Sequence, residues 1–280
     1  MKKLLALLLC GAMTAAMLTG CGEAGEEVVT GEVGAEVEAP AGDRTTFTVG
    51  FDAEFPPYGY MDDNGEYVGF DLSLAQEVCD RNGWELVKQP INWDTKDMEL
   101  SSGSIDCIWN GFTINGREEE YTWSVPYVDN SQVYVVAADA GIASPADLAG
   151  KVVAVQADSS ALAALNSEDN AAVTETFGSL NQFADYNTAF MDLEAGSVDA
   201  VAMDIGVANY QIESRDAGKF VILDDYISTE QYGVGFLLGN EELRDEVQDT
   251  LYEMVEDGTF AAIAEEWGLS DVVCLSADAE

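Results

Sequence analysis

Met98-Glu99-Leu100-Ser101-Ser102-Gly103-Ser104-Ile105-Asp106-Cys107-Ile108 and Met191-Asp192-Leu193-Glu194-Ala195-Gly196-Ser197-Val198-Asp199-Ala200-Val201 carry nearly the same pattern twice. Each reads as the end of an amphipathic helix, a glycine stop, and a short apolar strand that begins after an aspartate. One helix–strand unit repeated in each half predicts two similar α/β lobes. In open α/β sheets the residues just past a strand's C-terminal end face the ligand crevice. Those residues are Asn110, Gly111 and Thr113 after the first unit and Asp204 after the second. Two lobes that each offer polar groups at strand ends form a clamp for a small molecule.

Outward from these units the alternation continues. Residues 46–51, 84–89 and 105–109 read as strands of the first lobe, with helices over 71–82 and 94–102. Asp71 is placed to cap the first of these helices, and Gly83 to stop it. Asn64-Gly65, between Tyr60 and Tyr67-Val68, signals a two-residue hairpin. The run Asp62-Asp63-Asn64-Gly65-Glu66 resembles a piece of a calcium loop, but it lacks that loop's spacing and later Glu, so the hairpin is the better account. Residues 131–138 read as the strand that crosses into the second lobe. Ser144-Pro145 opens a short helix, 151–156 is a strand, and 159–165 begins a helix. A strand over 173–177, a helix over 188–195 and a strand over 200–203 follow. Residues 232–238 read as the return strand, and helices over 241–256 and 259–267 close the fold. Alternating elements imply mainly parallel sheets flanked by helices. Two crossings between lobes make a hinge.

The 280-residue chain suffices for two modest domains. It carries 53 acidic residues against 11 Lys and Arg, and no histidine. Such a surface repels nucleic acid and anionic headgroups, and serves as a solvated acidic coat. Without histidine the commonest general base and metal ligand is missing. No cofactor or metal is expected. Residues 1–20 read as a leader: Lys2-Lys3, then an apolar run shorter than a membrane span needs. Leu18-Thr19-Gly20-Cys21 resembles a bacterial lipobox, which implies that Cys21 becomes a lipid-modified N-terminus. Residues 21–44 then form a disordered acidic tether, reaching roughly 25 Å on average. Of the remaining cysteines, Cys107 reads as a small buried hydrophobe. A Cys79–Cys274 or a Cys107–Cys274 disulfide is open on sequence alone.

The cleft residues suit a zwitterion. Arg117 offers a planar fork for a carboxylate. Asp204 accepts from an ammonium, beside the Gly111 carbonyl and the Thr113 hydroxyl. Ser159 and Ser160 start a helix whose backbone N–H groups add to the carboxylate site. Each residue has a duller alternative. Arg117 sits beside Glu118, Glu119 and Glu120 and suits a surface ion pair. Asp204 suits a helix cap. Phe55 and Trp93 are either core residues or flank the ligand's side chain. Asp52 is either a turn residue or the partner of a polar or cationic side-chain tip.

Further stretches fall in a family order: Gly50-Phe51-Asp52-Ala53-Glu54-Phe55-Pro56-Pro57-Tyr58, Gly69-Phe70-Asp71-Leu72, Trp109-Asn110-Gly111-Phe112-Thr113-Ile114, Tyr121-Thr122-Trp123-Ser124-Val125-Pro126-Tyr127, Asp147-Leu148-Ala149-Gly150-Lys151 and Asp257-Gly258-Thr259-Phe260. Over about residues 45–270 the chain resembles extracellular solute-binding proteins of family 3, the amino-acid receptors of ABC importers. The resemblance implies an α/β two-lobe periplasmic-binding-protein ("Venus flytrap") fold with two hinge strands. Lobe 1 is residues 45–133 and 232–272, lobe 2 is 134–231, and 273–280 is a tail. It implies that Arg117 binds a ligand carboxylate with the Thr113 and Ser159 backbone. Asp204 takes the α-ammonium, Phe55 and Trp93 sandwich the side chain, and Asp52 lies near its tip. Two departures stand out. The loop Ile114-Asn115-Gly116-Arg117 is one residue shorter than the common form, and Ala157-Asp158-Ser159 replaces a Gly-Ser-Thr type of turn.

The expected partners are a free polar or basic amino acid, an ABC permease with its ATPase, and the membrane through the N-terminal lipid; the receptor itself is expected to be a monomer and not an enzyme. Two alternatives stay open: a dehydratase of small carboxylic acids on the same scaffold, and a sensor that presents an amino acid to a signalling partner.

Overall fold

A computed structural model describes residues 44–215 and 218–276. The expected leader, the lipidated Cys21 and most of the tether lie outside the described residues, as does the end of the C-terminal tail.

The repeated unit builds the same framework twice. In the first sheet Thr46–Phe51 lies between Glu85–Pro90 and Cys107–Ile108, parallel to both. In the second, Val152–Gln156 lies between Ser179–Phe183 and Ala200–Asp204, again parallel to both. The helix before each third strand ends at a left-handed glycine, Gly103 (φ 73°) and Gly196 (φ 72°), the backbone conformation that glycine adopts without strain. The aspartate that follows pins the first strand. Asp106 Oδ2 accepts from Thr48 N at 2.7 Å and pairs with Arg44, while Asp199 Oδ2 accepts from Val152 N at 2.8 Å and pairs with Lys151.

Each sheet is completed by antiparallel strands. Gly235–Phe236 and Thr122–Trp123 extend the first sheet. Val128–Ala137 and Phe220–Ile222 extend the second. The chain leaves the first sheet along Val128–Ala137 and returns along Ser228–Tyr232, and these two crossings pair antiparallel, with Glu230 opposite Asn130. A small sheet of Glu54–Phe55, Gly59–Met61 and Tyr67–Val68 rims the first lobe.

Burial follows the pattern of the strands. Phe47, Val49 and Phe51 are fully buried against Val78 and Cys79 of the helix Phe70–Asn82. Each such side chain contributes about 1.5–3 kcal/mol of transfer free energy. The closing helices Glu241–Asp257 and Thr259–Glu266 lock onto that helix through Arg81, paired with Glu77 and Asp257, and through Trp267 Nε1 on Ser73 Oγ.

Four local expectations are corrected. Residues 173–177 are not a strand. A short helix, Ala171–Thr174, comes first, and the strand is Ser179–Phe183, an edge strand whose polar residues need no second buried face. The return strand over 232–238 is two strands, because the chain changes sheet at Gly233, where a Cβ would meet Ile114 at 2.8 Å. The Asn64-Gly65 turn is not a two-residue hairpin loop: residues 62–66 form it around the Asp62 carboxylate, which accepts from Asn64 N and Glu66 N. Asp71 does not cap its own helix, whose N-cap is Gly69; its carboxylate reaches Gly111 N instead.

Cys79, Cys107 and Cys274 are free thiols, so neither disulfide left open by the sequence is formed. Among the described residues, no helix is long and apolar enough to cross a membrane.

Candidate functional site

The C-terminal ends of the two sheets face each other across a narrow cavity. The first lobe contributes Phe55, Trp93, Asn110, Gly111 and Thr113, and the second Gln156, Ser159, Ser160 and Asp204. Eight residues singled out from the sequence therefore meet on one surface: Phe55, Trp93, Asn110, Gly111, Thr113, Ser159, Ser160 and Asp204.

The first-lobe wall is set by the turn after Cys107–Ile108. Gly111 has φ 57°, and a Cβ there would lie 2.8 Å from the Phe55 ring. Only glycine satisfies both conditions. Asp71 fixes this turn by accepting from Gly111 N at 2.6 Å, and burial pushes its carboxyl up to about 7. Thr113 bridges to Tyr232 of the return crossing. Phe55 and Trp93 are both core and wall. Phe55 stands 5.9 Å from the Tyr186 ring of the other lobe, and Trp93 meets Phe112 edge-on at 5.4 Å.

The crossing strands supply the floor. Asp204 occupies the N-cap position of the helix Ile205–Glu213, but its side chain makes no cap bond. Its Oδ1 accepts from Asn130 Nδ2 (2.8 Å), Gln132 Nε2 (2.7 Å) and Tyr232 Oη (2.5 Å). The same two amides donate to Glu230 Oε1, each at 2.8 Å, and Thr113 Oγ1 donates there as well. Two buried carboxylates thus share one set of donors. Burial, and next the Glu230 charge, push the Asp204 carboxyl up to about 7.

Asp52 and Arg117 sit outside the cavity wall. Asp52 lies behind Asn110, which accepts from Asp52 N, and its Oδ2 accepts from Gln156 Nε2 at 2.6 Å across the cleft. Burial, opposed by bonds from Glu54 N and Gln156, leaves its carboxyl at about 6. Arg117 lines an adjoining groove that shares Ser159 and Ser160 with the cavity. It donates to Ser160 Oγ (2.9 Å) and the Asp158 carbonyl (3.3 Å) of the second lobe, and its guanidinium stacks 5.3 Å from the Phe112 ring. It forms no ion pair with Glu118, Glu119 or Glu120. Ser159 Oγ caps the helix Ser160–Leu165 by accepting from Leu162 N.

Asp158 takes a left-handed turn (φ 55°), which Asp tolerates better than bulkier residues. Its carboxylate pairs with Lys96, which is 2% exposed and stands 5.2 Å from the Trp93 ring. The negative charge at this departure from the family pattern is therefore committed to the opposite lobe.

Sequence reasoning missed Lys96, Asn130, Gln132, Gln156, Tyr186, Glu230 and Tyr232. One signal was available: Asn130 and Gln132 are two apart in one strand, which puts both amides on one face.

The known proteins similar to this chain carry the same architecture. Residues 47–270 match the bacterial extracellular solute-binding proteins, family 3. The L-cystine-binding protein TcyJ of Escherichia coli is 30% identical over 233 residues, covering 82% of this chain and 85% of that one. The structure of an ABC uptake transporter substrate-binding protein from Streptococcus pneumoniae with bound histidine superposes with a TM-score of 0.78 at 32% identity, over 82% and 95% of the two chains. An ancestral arginine-binding protein bound to glutamine gives 0.74 at 34%, over 81% and 100%. The chain belongs to the bacterial extracellular solute-binding proteins, family 3. It is a two-lobe binding protein of a transporter rather than an enzyme, and its family works in the periplasm or outside the cell.

Proposed function

We propose that this chain is the receptor of an ABC importer and binds a free polar or basic L-amino acid between its lobes. One observation carries the reading: Asp204 at the cavity and Glu230, joined to it through shared amide donors and to the cavity wall through Thr113, are both buried, and neither has an ion-pair partner among the described residues. Buried charge is costly unless it is paired. A ligand ammonium supplies the missing charge. In this reading Arg117 turns from Ser160 to the ligand carboxylate, Phe55 and Trp93 hold the side chain, and Asp52 lies near its tip. The names of the relatives support the class, since they bind cystine and histidine, and an arginine-binding ancestor was captured with glutamine. The lobes are residues 45–133 with 232–272, and 134–231, and closure about the paired crossings hands the ligand to the permease.

Calorimetric titration with the twenty amino acids and cystine tests this function. Micromolar binding of a polar or basic member is expected. No binding tighter than about 1 mM, roughly −4 kcal/mol, contradicts it. We further propose that Cys21 carries the lipid that holds a monomeric receptor at the membrane. Cys21→Ala is expected to release the protein into the soluble fraction, where light scattering reads the mass of one chain.

A further inference from the structure

The shared donors of Asp204 and Glu230 have a chemical consequence. Asn130 Nδ2 and Gln132 Nε2 each donate to both carboxylates, so the two acids lie side by side on one pair of amides. Both acids are buried, at 4% and 7% exposure. Two adjacent carboxylates in a site of low dielectric do not both ionise freely.

Among the described residues, no cation forms an ion pair with either acid. Tyr232 donates to Asp204 from the return crossing. Tyr58 from the first lobe and Tyr186 from the helix Tyr186–Ala195 also face the pair, and burial keeps all three phenols neutral. Asp71 lies beyond Tyr58, and burial raises its carboxyl as well. Arg117 reaches the Thr113 carbonyl, while Thr113 Oγ1 donates to Glu230, so the guanidinium is one residue removed. Glu120 and Asp158 line the groove beside Glu230, and Asp129 and Tyr226 line the groove on its other side.

We propose that Glu230 is a second acid of the ammonium site, that the ligand-free Asp204–Glu230 pair holds one proton, and that the incoming ammonium displaces it. This rests on the amino-acid-receptor reading and deepens it. Written as a balance, the protonated pair and the ligand ammonium give the doubly ionised pair bound to the ammonium, plus one proton released to water. The ligand keeps its own charge throughout. Asp204 titrating at about 7 places the exchange near neutral pH. Affinity then falls as the solution becomes more acidic, because protons compete for the site.

Calorimetry in buffers of different ionisation enthalpy counts the protons directly. The full chain is titrated with L-arginine, L-glutamine and L-cystine, whose α-groups hold their charge between pH 5.5 and 7. With a ligand that binds, release of about one proton per ligand is expected at pH 5.5, falling to about half at pH 7. Affinity is expected to weaken about tenfold per pH unit below the titration. Glu230→Gln keeps the side-chain shape and is expected to reduce both effects and move them to lower pH, since burial alone still raises Asp204. Binding by the unaltered protein with no proton release overturns the proposal whether or not the variant folds. Unchanged release in a folded Glu230→Gln protein overturns it too, because a purely structural Glu230 would leave the proton count alone. Failure of all three ligands to bind overturns this inference, whereas the receptor reading falls only if the whole amino-acid panel fails.

Discussion

Asp106 and Asp199 perform the same task in the two lobes, each pinning the start of a first strand and pairing with a basic residue just before it. Counted from these anchors, Asp52 corresponds to Gln156 and Gly111 to Asp204. The first correspondence is a contact: Gln156 Nε2 donates to Asp52 Oδ2 across the cleft, so the pair sits where the two repeats meet. The second is a contrast. At one position the first lobe presents bare backbone, locked by Asp71 and covered by the Phe55 ring. The second lobe presents a buried carboxylate. The scaffold is repeated and the chemistry at the strand ends is not. Two like halves grip a guest with unlike ends because only the residues past each strand differ, and those residues bear little on the packing of the sheets.

That contrast breaks most sharply at Asp204. Asp204→Asn is expected to cost about 2–5 kcal/mol of binding, and Arg117→Ala a similar amount, since each removes a charge that faces one end of the ligand. Calorimetry on the tightest ligand checks both. An unchanged affinity in either variant, with unchanged circular dichroism, would remove that residue from the grip.

Next comes Gly206, which follows Asp204 in the second lobe. A Cβ there would lie 2.6 Å from the Tyr58 hydroxyl of the first lobe. Gly206→Ala is expected to oppose closure at a cost of about 1–3 kcal/mol. The readouts are weaker binding and a radius of gyration in X-ray scattering that no longer shrinks when ligand is added. Lys96→Met removes the ion pair to Asp158. That pair is half exposed on the Asp158 side, so a smaller loss is expected, about threefold to tenfold in affinity. Normal affinity in this variant would show that the pair does not favour the closed arrangement.

Asp52, Asp71 and Asp204 give the mildest test. Burial raises all three, to about 6, 7 and 7, above their ordinary value of 3.8. Carboxyls raised in the folded state add stability that is fully present below pH 3.8 and is lost as pH rises through 6–7. The ligand-free protein is expected to melt at a higher temperature at pH 5 than at pH 8, by about 2–4 °C per kcal/mol. The reverse order would show that these groups are ionised without penalty.

The lobes were legible because the glycine stop, the aspartate and the short apolar strand are local in sequence, and so were the residues just past each strand. Other residues were hidden for definite reasons. Lys96 carries no local mark of its role, because its charge partner Asp158 stands in the opposite lobe. Glu230 reads as a surface acid until the register of the crossings sets it against Asn130. Asp71 matches a helix cap in sequence, yet Gly69 holds that position and the Asp71 carboxylate fixes the cleft turn. In each case the deciding neighbour lies far along the chain, and periodicity within one element carries no trace of it.

A crystal structure with the tightest-binding amino acid is the most direct test of the grip between unlike halves. The account predicts the ligand ammonium within hydrogen-bond distance of Asp204 and its carboxylate on Arg117, with Phe55 and Trp93 on either side of the side chain. A ligand bound elsewhere, or held with its ammonium away from Asp204 while Arg117 still rests on Ser160, would contradict it.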